Sequence, residues 1–351
     1  MLSNADRDKG IYHIAFNNAS DGAELMADLS YLGGAPSGTL TFDFRQMAAP
    51  LTQEQREEWL PGGFGYQPTQ LLLEVLGAMM AYLDCEAAQS HRIKAILPTP
   101  MSRVGRFLVD MQLPQILHQM GIQLRYDDTW VREYGHDDPS RQNLIPLTLI
   151  TVSTRGPDFR ILRTIRKRVE RVFSCGLPGD SATPLPPDLA EQFATVVNEA
   201  VDNMIEYGAG GLIAGLYYRK AGEVEITLVN RCGGFGGTNA TEQLETLIDA
   251  CDGMSSRSNG GGNGIITLSR LAGACFGTLL LRNGSATVRL SPDGSVDGSL
   301  DETGIQIPGA AVTLLLQLLP EPDGKENETR KAFEAVLRNA LNAYMQQGNE
   351  R

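Results

Sequence analysis

Residues 193–211 read Phe193-Ala-Thr-Val-Val-Asn-Glu-Ala-Val-Asp-Asn-Met-Ile-Glu-Tyr-Gly-Ala-Gly-Gly211. Phe193, Val196, Val197, Ala200, Val201, Met204 and Ile205 recur at helical spacing, which predicts an amphipathic helix. Gly208 and the glycines after it are expected to end it. Glu199 and Asn203 stand four residues apart and so share one face, a turn apart. A carboxylate and a carboxamide stacked in this way suit a hydrated Mg²⁺, which takes hard oxygen ligands and keeps several waters. The pair alone equally describes a solvated polar face, so the decision passes to two later stretches.

The first, Ile226-Thr-Leu-Val-Asn-Arg-Cys-Gly-Gly-Phe-Gly236, is a buried type of strand running into a glycine turn. The second, Gly260-Gly-Gly-Asn-Gly-Ile-Ile-Thr-Leu-Ser-Arg-Leu271, is a glycine loop opening an amphipathic helix. A helix with Glu and Asn, a strand with a glycine turn, then a glycine loop and helix, in that order, resembles the GHKL ATP-binding fold. That fold is shared by gyrase, MutL, histidine kinases and anti-sigma-factor kinases. The resemblance covers residues 155–320.

It implies an ATP·Mg²⁺ site. The carboxylate matching Glu199 polarises a water or substrate hydroxyl, and the amide matching Asn203 holds the Mg²⁺ that bridges the phosphates. Asp202 points about 100° off that face, and Tyr207 stands where relatives often carry His. Relatives place Asp-x-Gly-x-Gly after the strand, the Asp accepting from the adenine amino group. Here the residues are Asn230-Arg-Cys-Gly-Gly234, with Cys232 in place of the first glycine and Gly234 matching the second. Losing the charge is expected to weaken that hydrogen bond by ~1 kcal/mol, about tenfold in affinity. Relatives have Gly-Thr where this chain has Gly309-Ala310, so a supporting hydroxyl is also lost.

The phosphate side keeps its chemistry. Residues 236–259 correspond to a lid, in which Ser255, Ser256, Arg257 and Ser258 offer donors and one cation. Gly260, Gly261, Gly262 and Gly264 let backbone amides approach an anion at a helix N-terminus, where the dipole favours negative charge. A hairpin at 277–290, a surface loop at 293–302 and a last core strand at 312–318 complete this part.

A chain of 351 residues is expected to form two domains. Its net charge of −12 argues against a nucleic acid or an anionic membrane as the main partner. Cys85, Cys175, Cys232, Cys251 and Cys275 show no paired spacing, which speaks against disulfides and zinc. No apolar run reaches ~18 residues, and no signal-peptide pattern opens the chain. The expectation is a soluble protein of a reducing, cytoplasmic compartment.

Residues 1–135 alternate strand and helix patterns: a strand at 39–44, a polar insert at 46–66, a helix opened by Pro68, a strand at 93–97, and a helix at 104–117 interrupted by Pro114. This implies a small α/β sandwich. The strand carrying Phe42-Asp-Phe44, the helix after Gln67-Pro-Thr-Gln70 and the strand ending at Leu97-Pro98 together resemble a STAS domain, the module of anti-anti-sigma factors. Such switch proteins carry a phosphorylatable Ser or Thr at that helix start; Thr69 is the nearest residue, and an ordinary first-turn residue is the alternative. The stretch 127–143 is rich in Asp, Arg, Gly and Pro, and a linker is placed at 136–144. His136 does not make a phosphoacceptor box, because Gly135 and Pro139 forbid the long helix it needs.

The fold class expected is therefore α/β in two domains: a STAS-like sandwich, then a GHKL sandwich over 145–320, with an amphipathic helix in the tail at 321–351. A helix at 158–173 carries Arg160, Arg163, Arg166, Lys167, Arg168 and Arg171 on one face, either a docking face for an acidic partner or a solvated face. The tail stripe of Phe333, Val336, Leu337, Leu341 and Tyr344 docks on its own domain or pairs two subunits into a homodimer. Two functions stand open. One is an ATP-dependent Ser/Thr kinase or slow ATPase acting by partner switching; the other is a non-catalytic docking protein with a degenerate pocket. A gyrase- or MutL-type machine would need a transducer domain that the ~30 residues after Pro320 cannot supply.

Overall fold

A computed structural model describes residues 2–6, 10–16, 22–32, 37–47, 68–125, 144–153, 156–157, 159–174, 185–218, 223–252, 263–275, 277–300, 307–317, 331, 334–339 and 342. The chain is mixed α/β with two sheets, one mostly parallel and one antiparallel.

The first sheet has the order β1-β2-β3-β4-β5. Strands β1 (Leu2–Asp6) and β2 (Ile11–Ala15) pair antiparallel; β3 (Gly38–Asp43), β4 (His91–Ile96) and β5 (Gln123–Arg125) then follow in parallel. Parallel neighbours need crossovers, and helices supply them: α1 (Gly22–Leu32), α2 (Pro68–Leu83), α3 (Arg103–Asp110) and α4 (Leu113–Gln119). Pro114 does not interrupt a helix as expected. It lies in the first turn of α4, where its missing N–H costs nothing, and the break comes earlier, at Gln112 with φ 59°.

At the C-terminal end of β3, Asp43 is 5% exposed and accepts from Arg45 Nε at 2.9 Å and from the Arg45 backbone N–H at 3.0 Å. His13 Nε2 lies 3.2 Å from its second oxygen. Burial alone would raise the Asp43 pKa, but the Arg45 hydrogen bonds and charge outweigh it and hold the carboxyl below its usual value. A carboxyl depressed in the folded state stabilises above its unfolded-state pKa of ~4 and loses that contribution as pH falls through the lower folded value. Asp43→Asn is expected to flatten the stability–pH curve below pH ~4. Equal acid limbs in urea titrations of the two proteins would show that Asp43 contributes nothing there.

The second sheet has the order β12-β11-β10-β13-β9-β8-β6-β7. Its strands are β6 (Leu144–Ser153), β7 (Gly156–Pro157), β8 (Gly210–Tyr218), β9 (Glu223–Asn230), β10 (Thr278–Gly284), β11 (Ala286–Leu290), β12 (Val296–Leu300) and β13 (Ile307–Gln317). One face carries α5 (Phe159–Ser174), α6 (Pro187–Gly208), α7 (Ala240–Cys251) and α8 (Asn263–Ala274). Leu144 belongs to β6, so the linker expected at 136–144 ends one residue earlier, and the rest of it lies outside the described residues. The surface loop expected at 293–302 is in part the edge strand β12, paired to β11 from Ala286↔Leu300 to Leu290↔Val296. Every residue of β12 is exposed, so hydrogen bonding to β11, not burial, defines the strand.

Two apolar clusters divide at the second sheet. Val224, Ile226 and Leu228 of β9 face α6, where Phe173 of α5 stacks on Phe193 at 4.6 Å. Full burial of such a ring contributes about 2–3 kcal/mol. Leu212, Ala214, Leu216, Val229 and Ala311 face the other way and join the core of the first sheet through α2. The consecutive residues 72–80 of α2 are all buried, as suits a helix apolar around its circumference and covered on both sides. Gly77 lets it approach: a Cβ there would lie 2.6 Å from Val229 Cγ1. Polar ties frame this contact. Glu225, 1% exposed, accepts from the Gln70 N–H in the first turn of α2 at 2.8 Å, satisfying an orphan helix donor. Arg282 Nη1 donates to Glu74 Oε2 at 2.9 Å. Arg231 makes a two-pronged pair with Asp84. The outer face of the second sheet is thus covered by the first 125 residues.

In the tail, Leu337 is fully buried in the cluster that contains α6, and Arg338 pairs with Asp188 at the start of α6. Of the rest of the tail stripe, Val336 is exposed, and Phe333, Leu341 and Tyr344 lie outside the described residues.

Candidate functional site

Helix α6 is 22 residues long and buries Phe193, Val196, Val197, Ala200, Val201 and Met204, the stripe read from the sequence. Its left-handed cap is Ala209, φ 53°, rather than a glycine. Gly208 serves another purpose: a Cβ there would lie 2.7 Å from Asn230 Cγ. The absence of a side chain at the last helical position is what lets Asn230, at the end of β9, lean against α6.

Glu199 is exposed and Asn203 half-buried on one flank of α6. Asp202 lies on another flank and takes a hydrogen bond from Asn198 Nδ2 at 3.2 Å. Partial burial of its carboxyl, and then the charge of Glu199, raise the Asp202 pKa, with the Asn198 bond opposing and Glu206 adding a smaller push. Tyr207 is 37% exposed one turn beyond Asn203.

Asn230 sits among three glycines. Besides Gly208, a Cβ on Gly211 would lie 3.0 Å from Asn230 Cα, and one on Gly309, φ 85°, would lie 2.5 Å from the Asn230 carbonyl oxygen. The turn after Asn230 is bound to the end of α6: Cys232 N–H donates to the Gly208 carbonyl at 3.2 Å and Arg231 N–H to the Gly210 carbonyl at 2.9 Å. Gly233 has φ 68° and its Cα faces the Tyr207 carbonyl. The Arg231 side chain turns to Asp84, and the exposed Cys232 thiol lies 3.6 Å from the Gly208 carbonyl. Ala310 is 4% exposed in β13.

Gly234 lies over Asn283, and a Cβ there would overlap Asn283 Oδ1. Asn283 is 5% exposed and donates Nδ2–H to the Gly236 carbonyl at 2.8 Å. In the sequence Asn283-Gly284 has the look of an ordinary hairpin turn, which conceals this contact. Further along, Asn239 caps α7 by accepting from the Glu242 N–H at 3.0 Å.

Of the phosphate-side residues, Gly264 lies in the first turn of α8. Arg257, Gly260 and Gly262 lie outside the described residues. Thr69 is fully buried at the start of α2, the position of an ordinary first-turn residue. Among the described residues no group of three or more His, Cys, Asp or Glu side chains could hold a metal ion, and no helix is long and apolar enough to cross a membrane. Cys85, Cys232, Cys251 and Cys275 are free thiols. Burial pushes the Cys251 pKa up to about 11, which leaves it an inert core thiol.

The chain matches no protein-family model, and comparison with curated proteins and with solved structures returned no significant match.

Proposed function

We propose that the chain is an ATP-binding regulatory protein of the GHKL type that acts by nucleotide-dependent partner switching, with a STAS-like unit in its first 135 residues. The observation that carries this reading is the nest of Gly208, Gly211 and Gly309 around Asn230, at the end of the helix that bears Glu199 and Asn203. Gly208 forgoes a side chain against the Asn230 carboxamide, and Gly211 and Gly309 against the backbone at Val229 and Asn230, which fits a carboxamide held at the strand end where the resemblance places the base-reading residue. Helix α8, opening at Asn263 directly after the glycine loop, fits an anion at its N-terminus. The β3–α2–β4 order, with the strands parallel neighbours, supports the STAS likeness.

The donor set also fits the ion. Mg²⁺ that keeps several waters and binds phosphate oxygens needs few protein ligands, and Asn203 offers one half-buried carboxamide. Bound ATP·Mg²⁺ supplies a transferable γ-phosphoryl group. Glu199 would orient and deprotonate the attacking hydroxyl of a protein or of water. Asn203 would hold the ion, and Arg257 with the glycines 260, 262 and 264 would hold the phosphates. The exposed cations Arg160, Arg163, Arg166, Lys167 and Arg171 on α5 suit an acidic protein partner.

The second reading, a non-catalytic docking protein, is favoured by Asn230 and Ala310, which bring neither charge nor hydroxyl to the base side. Calorimetric titration with ATP, ADP and GTP in the presence of Mg²⁺ separates the two. On the first reading ATP binds, weakly and with little preference over GTP, because an amide can present either a donor or an acceptor. Asn230→Asp with Ala310→Thr should then tighten ATP roughly tenfold and sharpen that preference. No heat from any nucleotide, in the wild type or the double variant, would favour the docking protein.

A further inference from the structure

We propose that Asn283 is a positioning residue of the base subsite, fixing the glycine turn that follows Asn230. This rests on the nucleotide reading above. The four strands β8, β9, β13 and β10 are neighbours in the sheet. Gly211 pairs with Asn230, and Asn283 pairs with Ala310. Ala311 pairs with Val229, and continuing that register by one step sets Ala310 opposite Asn230. Side chains alternate between the faces of a sheet. Val229 and Ala311 belong to the cluster on the α2 side, whereas Leu228, Leu281 and Leu314 belong to the one on the α6 side. Asn230, Ala310 and Asn283 therefore form one row on the α6 side. Two carboxamides stand two strand spacings apart, about 10 Å, with only a methyl group between them.

The Asn283 bond to Gly236 fixes its amide, with Nδ2 toward that carbonyl and Oδ1 toward Gly234. The turn that follows Asn230 is thus held at both ends. The Gly208 carbonyl holds it through Cys232, and Asn283 holds it through Gly236. Asn283 and Gly234 form a matched pair in which the missing Cβ of one makes room for the oxygen of the other. On the nucleotide reading the base is met by Asn230, and the clamped turn fixes the backbone that follows it. Asn283 acts through the turn and need not touch the base.

The test is a double-variant cycle of Gly234→Ala and Asn283→Ala in the full chain, read by calorimetry with adenosine and with ATP·Mg²⁺, and by melting without ligand. Each single variant should weaken both ligands about tenfold, and the pair should be no weaker than the worse single, since removing the oxygen relieves the clash. Wild-type Kd in Asn283→Ala, or effects that multiply independently, overturn the proposal. A purely structural tie would show its coupling in the melting temperature and none in Kd, which also overturns it. If Gly234→Ala does not fold, Asn283→Ser and Asn283→Ala serve: at least fivefold weaker adenosine supports the proposal, and an unchanged Kd sinks it. A wild type that binds neither ligand removes the nucleotide reading itself, a failure distinct from a binding wild type with unaffected variants.

Discussion

Glu74→Ala is expected to cost the folded chain about 3 kcal/mol. Glu74 is 1% exposed on α2, and its carboxylate takes the Arg282 guanidinium at 2.9 Å and the Gln70 amide at 2.9 Å. Arg282 belongs to β10, so the pair ties the helix from the first unit to the second sheet. Removing one partner leaves the other charge in a poorly solvated place, and that uncompensated charge, not the lost attraction, dominates the penalty. Arg282→Ala should therefore cost a similar amount, somewhat eased because the Arg282 side chain keeps 16% exposure. Replacing both charges with apolar groups, Glu74→Leu with Arg282→Met, should recover most of the loss. Urea unfolding of the four proteins decides it; single variants within 1 kcal/mol of the wild type would mean that water reaches the pair.

The exposed tie nearby is expected to behave differently. Arg231 and Asp84 are each more than 40% exposed, so their pair is screened by solvent and contributes on the order of 1 kcal/mol or less. Its interest is location: Arg231 follows Asn230 directly and reaches the end of α2.

How much of this was legible in the sequence depended on whether an element buries one face, two faces or none. Helix α6 buries one, so its stripe from Phe193 to Met204 gave the helix, and with it the flank of Glu199 and Asn203. Helix α2 buries all sides, and its apolar circumference announced burial. That the outer face of a distant sheet covers it depends on long-range fits such as Gly77 against Val229, which no local pattern carries. Strand β12 buries neither face and left no periodicity. Strand β8 was hidden because Gly210, Gly211 and Gly215 read as punctuation. Their role is close approach, with a Cβ on Gly215 lying 2.9 Å from the Glu225 carbonyl oxygen. Within the site, the residue types at 199, 203 and 230 were readable because they carry chemistry, whereas Asn283 was not, because its role appears only when β10 and the glycine turn meet.

Under the proposed function, Glu199→Gln is expected to lower any ATP turnover or phosphotransfer by roughly 10²–10⁴-fold while leaving ATP·Mg²⁺ binding within about threefold of the wild type. The glutamine keeps the shape and loses the ability to accept a proton, so only a step that moves a proton should suffer. Glu199 is exposed, as a base that must reach an attacking hydroxyl has to be. Asp202, three residues on, supplies the control. It is the neighbouring carboxylate on the same helix, close enough to feel the Glu199 charge but bonded to Asn198. Asp202→Asn should therefore leave turnover near the wild-type rate. Asn203→Ala should give the opposite split to Glu199→Gln: binding that depends on Mg²⁺ weakens, and the nucleotide bound without the ion is held equally well. Full turnover in Glu199→Gln, or its loss in Asp202→Asn, would assign the base to another residue. Binding without turnover in the wild type would mean that the protein switches on nucleotide occupancy alone, with Asn203 holding the ion and Glu199 playing no catalytic part.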